Sequence, residues 1–266
     1  MTDSAARWFR SYRAAADPRL RLVCFPHAGG APTGYRPWAR ALPADFELLV
    51  TCYPGRQDRI GEPFATSLHA MADEIAEALA AAAGDGVPLA LFGHSMGAVV
   101  AHEVALRLSG RHGVQPVRLF ASGSEAPHRR HREAPATEDD QAFLEELRRL
   151  GHKSLDAFED PALRELVLPS IRADFALSAE YRPDPAAPRH RLPVVACVGA
   201  QDEECEAESV AAWADTTAAG FELRVFPGDH FYLEPQERSL LGYLTGHLNT
   251  DLRLRQVLQL SRAARP

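Results

Sequence analysis

Short apolar runs alternate along this chain with longer segments whose apolar residues recur every three or four positions. Six runs read as strands, at 20–25, 48–53, 88–92, 117–121, 193–198 and 222–226. Between them, 67–83 carries Leu68, Met71, Ile75, Ala78 and Leu79 on one helical face. Residues 98–106 open another helix-like run, and 235–248 reads as a late helix with Pro235 suited to its first turn. Strand and helix taken in turn are the pattern of a mainly parallel sheet with helices on both faces, an α/β architecture.

One stretch breaks the alternation. No strand reads between 125 and 191, but two helices do. The first is 141–150, behind a capped start at Thr137-Glu138-Asp139-Asp140, and the second is the longer, amphipathic 161–181. One crossover rarely needs so much chain. Residues 125–191 therefore read as a helical lid inserted over the active-site face, with 1–124 and 192–266 forming the core; the plainer alternative is a pair of sheet-covering helices. Residues 182–191, rich in proline and polar groups, read as a return linker. The tail, 251–266, reads as a peripheral helix or as disordered.

Composition narrows the class. At 266 residues, 46% hydrophobic and 24% charged, the chain fits one soluble α/β domain. No apolar run approaches the roughly 18 residues needed to cross a bilayer, and the first ten residues lack the apolar core of a signal peptide. Of four cysteines, Cys24, Cys52 and Cys197 lie in apolar runs and Cys205 in an acidic stretch, with no Cys-x-x-Cys pair. That argues against a zinc site or a disulfide scaffold and points to a reducing, cytoplasmic compartment. A net charge of −7 argues against nucleic-acid binding. No cofactor or catalytic-metal pattern is visible.

The chemistry is carried by Gly93-His94-Ser95-Met96-Gly97, between a strand and a helix. A serine flanked by glycines at such a reversal is what the nucleophile elbow of the α/β-hydrolase fold requires, because the turn leaves no room for neighbouring side chains. A serine hydroxyl needs a base, and the base an acid to orient it, following in the order serine, acid, histidine. Of eleven histidines, His230 alone lies in a loop after a late strand and before the last helix. Asp202, just past the strand at 193–198, is the leading acid, and Glu125 is the topological runner-up. Asp229 adjoins His230 but is expected to point away, and Glu203 and Glu204 read as a solvated acidic loop. Oxyanion donors are expected from the backbone N–H of Met96, after the nucleophile, and of Ala28, in Phe25-Pro26-His27-Ala28-Gly29-Gly30. That loop has neither the lysine of a P-loop nor the spacing of a dinucleotide site.

Together these residues resemble the type II thioesterases associated with modular polyketide and nonribosomal peptide synthetases. The resemblance runs from Trp8-Phe9 to the last helix. It rests on Leu22-Val23-Cys24-Phe25-Pro26-His27-Ala28-Gly29-Gly30, Tyr53-Pro54-Gly55-Arg56, Gly93-His94-Ser95-Met96-Gly97-Ala98, Ala121-Ser122-Gly123-Ser124-Glu125-Ala126-Pro127 and Gly228-Asp229-His230-Phe231. It implies an editing hydrolase that clears stray acyl groups from the phosphopantetheine arms of acyl or peptidyl carrier proteins. The family's triad falls on Ser95, Asp202 and His230, and its oxyanion amides on Ala28 and Met96. One departure is the heavily charged Asp202-Glu203-Glu204-Cys205-Glu206. Another acyl hydrolase (esterase, lipase or chain-releasing thioesterase) and a non-catalytic carrier-binding module are the alternatives, the latter disfavoured by an intact triad. Against an acidic carrier, a −7 chain needs a local basic patch. His128-Arg129-Arg130-His131-Arg132 is the candidate, with a solvated arginine-rich loop as the plainer reading.

Overall fold

The structure, a computed structural model, describes residues 3–130, 139–149 and 160–263. In chain order its main elements are α1 (Asp3–Trp8), β1 (Phe9–Arg13), β2 (Leu20–Phe25), α2 (Trp38–Ala41), β3 (Phe46–Thr51), α3 (Leu68–Ala82), β4 (Leu89–His94) and α4 (Met96–Arg111). There follow β5 (Arg118–Ser122), α5 (Asp140–Arg149), α6 (Pro161–Glu180), β6 (Val194–Gly199), α7 (Ala207–Ala211), β7 (Phe221–Phe226) and α8 (Glu237–Ala263).

Among the described residues the strands form one sheet in the order β1-β3-β2-β4-β5-β6-β7. All neighbouring pairs are parallel except β1 with β3. The six expected strands are present, with ends shifted by up to two residues. β1 was not expected. It is an edge strand buried at Phe9 and open beyond it, so Phe9-Arg10-Ser11-Tyr12-Arg13 shows no apolar run.

Alternation along the strands divides the core in two. Val23, Phe25, Leu91 and Ala121 face the layer of α3 and α4, where Ile75, Leu79, Val99 and Val104 are fully buried. Leu22, Cys24, Phe92 and Phe120 face the opposite layer, against Trp38 of α2 and Leu240, Leu244 and Leu248 of α8. Cys24, Cys52, Cys197 and Cys205 are all buried free thiols; for Cys205 this departs from the open acidic loop its neighbours suggest.

Local sequence sets the helix ends. Ser67 Oγ accepts the Ala70 N–H at 3.2 Å and starts α3. Asp160 Oδ1 accepts the Ala162 N–H at 2.9 Å to start α6, with Pro161 in the first turn. Asp139 Oδ1 does the same for α5, accepting from Ala142 at 2.7 Å; Thr137 and Glu138 of the expected capped start lie outside the described residues. The late helix starts at Glu237, past Pro235, and runs unbroken to Ala263, so the described part of the tail is helical. Arg118 at the start of β5 clamps it there through two 2.7 Å bonds to Asp251.

Between β5 and β6 the described chain contains helices and no strand of the sheet. α5 and α6 bury Phe143, Leu144, Leu147, Leu168 and Ile171 against each other in a small core of their own. The far end of α6 is pinned to α4 by Tyr181, whose hydroxyl donates to buried Glu103 at 2.7 Å.

Candidate active site

Parallel strands deliver their carboxyl ends to one edge of the sheet, and each candidate group lies just past such an end. Ser95 follows β4, Asp202 follows β6, His230 follows β7, and the loop with Ala28 follows β2. Register brings these ends level, with Phe25 opposite Gly93, His94 opposite Ser122, and Gly199 opposite Phe226.

Ser95 has φ 54° and ψ −119°, a conformation a side-chain-bearing residue adopts only under constraint. The constraint is visible. The Ser95 N–H donates to Ser122 O at 2.8 Å, and Ser95 O accepts from Ala98 at 3.0 Å. A Cβ on Gly93 would lie 2.1 Å from Gly97 O, and one on Gly97 would lie 2.0 Å from Phe25 O. The turn therefore presses against the loop after β2.

His230 is buried, and its Nδ1 lies 2.9 and 3.1 Å from the two oxygens of Asp202. The Asp202 carboxylate is wholly enclosed and also accepts the Glu204 N–H at 2.9 Å. With Nδ1 donating to Asp202, Nε2 keeps its lone pair, which is the tautomer a general base needs. Asp229 turns away, Oδ1 accepting the Phe231 N–H at 2.9 Å. The His230 ring lies 4.9 Å from that of His94, the residue before Ser95, which sets it against the elbow.

Two side chains here were not anticipated. Glu204 is no solvated bystander: its side chain is 10% exposed, and Oε1 lies 3.5 Å from His230 Nε2. His94, fully buried, meets Ser122 Oγ through Nδ1 at 2.9 Å, and Ser122 Oγ in turn meets the Tyr232 hydroxyl at 2.7 Å. That chain of bonds underpins the elbow and the segment carrying His230. Cys205 also lies here. Asp202, Cys205 and His230 each offer an atom within 4.8 Å of the others, although the carboxylate and Nδ1 already satisfy one another.

Among the described residues, the backbone N–H groups of Ala28 and Met96 have no protein acceptor. Both are thus able to donate to a bound oxygen. The basic run after β5 is only partly open. Arg130 donates to Ser124 Oγ at 3.3 Å and Ser178 Oγ at 2.8 Å, so it fastens α6 to the end of β5; His128 lies 3.3 Å from Asp215. Arg129 is exposed, and His131 and Arg132 lie outside the described residues.

The thioesterase domain family matches residues 20–248. A thioesterase of Streptomyces venezuelae, PikA5, is 38% identical over 241 residues, covering 91% of this chain and 85% of that protein. The type II thioesterase BorB from the borrelidin biosynthetic cluster superimposes with a TM-score of 0.83 at 35% identity, covering 93% of this chain and 99% of that one. YbtT, a type II thioesterase from the yersiniabactin pathway, does so with a TM-score of 0.83 at 32% identity, covering 92% and 99%. No helix among the described residues is long and apolar enough to cross a membrane.

Proposed function

The chain belongs to the thioesterase domain family, and from that premise we propose that it clears acyl groups from the phosphopantetheine arms of carrier proteins in polyketide or nonribosomal peptide assembly. Its fold is that of the α/β-hydrolases, and its reaction is thioester hydrolysis. Relatives named for such assembly pathways support the substrate class, and the carrier protein follows as partner.

In the proposed mechanism Ser95 Oγ attacks the thioester carbonyl as His230 Nε2 takes its proton. Asp202 holds the ring and stabilises the imidazolium. The tetrahedral oxygen accepts from the N–H groups of Ala28 and Met96. Collapse expels the pantetheine thiolate, protonated from His230, and leaves an acyl-serine. Water, deprotonated by the same nitrogen, then attacks the acyl-serine carbonyl, and His230 passes that proton to the departing Ser95 Oγ as the carboxylic acid is released. Residues 125–191, carrying α5 and α6, act as the lid over this site.

The observation that carries the reading is the buried Asp202–His230 pair set against the strained Ser95 turn. Ser95→Ala is expected to abolish labelling by a fluorophosphonate and to lower hydrolysis of acyl-carrier substrates by several orders of magnitude. Asp202→Asn is expected to cut turnover by roughly 10³–10⁴ with little change in folding. A Ser95→Ala enzyme near the wild-type rate overturns the assignment; a large loss in Glu125→Gln with none in Asp202→Asn moves the acid to the end of β5.

A further inference from the structure

The loop after β2 is fastened at several of its backbone groups. Phe25 O accepts from the Tyr35 hydroxyl at 3.5 Å, Pro26 O from the Tyr53 hydroxyl at 3.1 Å, and His27 O from Gly30 N–H at 2.8 Å. The remaining two ties reach much further along the chain. Gly29 N–H donates to Asp174 Oδ2 at 2.7 Å, and Gly30 O accepts from Arg56 Nη1 at 3.0 Å.

Asp174 belongs to α6 and Arg56 to the segment after β3. They face each other in a two-pronged pair, 2.7 Å on each prong, with side chains 7% and 8% exposed. The Arg56 guanidinium also stands 5.3 Å from the centre of the Tyr53 ring. Gly29 adopts φ +76°, and a Cβ there would lie 2.8 Å from Ile171, one turn before Asp174. Helix α6 thus rests directly on the turn that presents Ala28.

Resting on the site reading above, we propose that Arg56 and Asp174 are positioning residues that form a latch, so that the oxyanion loop is organised only while α6 is seated on it. The peptide plane after Ala28 is held through Gly29 N–H by a carboxylate of α6, and Gly30 O is held by the arginine which that carboxylate orients. If α6 lifts, Gly29 N–H loses its acceptor and the guanidinium its counter-charge. A closed α6 and an aligned Ala28 amide are then one state, not two. A buried ion pair is a poor source of stability compared with apolar packing but is strongly directional. Those properties suit a latch better than a strut.

The test is a double-mutant cycle on Arg56→Met and Asp174→Asn with a small soluble acyl thioester, normalised to the fraction labelled by fluorophosphonate. Each single variant is expected to lose about 10- to 100-fold in kcat with KM within about threefold, somewhat less than deleting an oxyanion donor outright. The double variant should be no worse than the poorer single. Millimolar guanidinium should restore kcat to Arg56→Ala but not to Asp174→Asn. Losses that multiply, that fall on KM alone, or that are absent overturn the latch. If the variants fold poorly, amide exchange of the wild-type protein decides. Gly29 and the middle turns of α6 must share one opening free energy, and clearly different values refute the coupling. Failure of the latch leaves Ser95→Ala inactive, whereas an active Ser95→Ala enzyme removes the site reading itself.

Discussion

Glycine beside Ser95 is a matter of volume. A Cβ on Gly97 would lie 2.0 Å from Phe25 O and 2.5 Å from Pro26 O, backbone atoms with no rotamer to give way. Gly97→Ala should push the β2 loop aside, lowering stability by about 1–3 kcal/mol and kcat with it, because Ala28 belongs to that loop. Gly110, further along the same helix, has nothing within 4 Å of its own added Cβ. There the same substitution should stabilise by about 0.5–1 kcal/mol, the usual gain of alanine over glycine in a helix. Urea midpoints and kcat for both variants check this, and a Gly97→Ala enzyme with wild-type values would show that the loop yields freely. At this scale the sequence was informative where chemistry forces one residue type, as at the glycines around Ser95. It was silent where neighbours are alike. Nothing in Glu203-Glu204 says which carboxylate turns inward. The turn decides it, because Asp202 Oδ1 takes the Glu204 N–H and draws that residue under His230.

For whole elements, legibility followed the number of buried faces. Strands β2, β4 and β6 are buried along their whole length and stood out as apolar runs. β1 is buried only at its first residue and shows no such run. The latch had a visible signal of another kind: Asp174 shares the buried side of α6 with Ile171, Leu177 and Ser178, so helical periodicity alone places a carboxylate on an apolar face. Its partner could not be read, since Arg56 lies 118 residues away. Helix α5 and the first half of α6 keep a small core of their own, whereas Leu177 in the last turn of α6 packs into the core of the sheet, so α5 and that first half should open without unfolding the sheet. Leu147→Ala, at a fully buried position of that core, should speed amide exchange throughout α5 and the first half of α6. The β4 amides and the urea midpoint of the sheet should stay near wild type. A drop of about 2–5 kcal/mol at β4, the ordinary cost of such a truncation in a shared core, would show instead that α5, α6 and the sheet unfold as one unit.

Across the molecule, the chain returning from α6 is joined to α4 by a pair of histidines. His190 Nε2 and His102 Nδ1 are 2.8 Å apart, one donating and the other accepting, with Trp213 packed edge-on against His102. Burial holds both imidazoles well below their usual value of 6.5, with Arg107 and His128 adding to the effect on His102, and His102 adding to that on His190. The hydrogen bond works only while one facing nitrogen lacks a proton, so the pair cannot take up two protons without setting N–H against N–H. In the unfolded chain each would protonate near 6.5. The unfolded state therefore binds more protons than the folded one below that pH, and stability must fall as the solution is acidified. Above it the pair contributes no pH dependence. Each extra proton bound on unfolding steepens the decline by about 1.4 kcal/mol per pH unit. Replacing both residues, His102→Gln with His190→Gln, keeps hydrogen-bonding groups but removes the titration. Urea denaturation at a series of pH values from 7.5 down to about 4.5 should then give a flatter stability curve for the double variant than for the wild type, even if its stability at pH 7.5 is lower. Parallel curves would place the acid sensitivity in other groups and leave the histidine pair with packing as its only role.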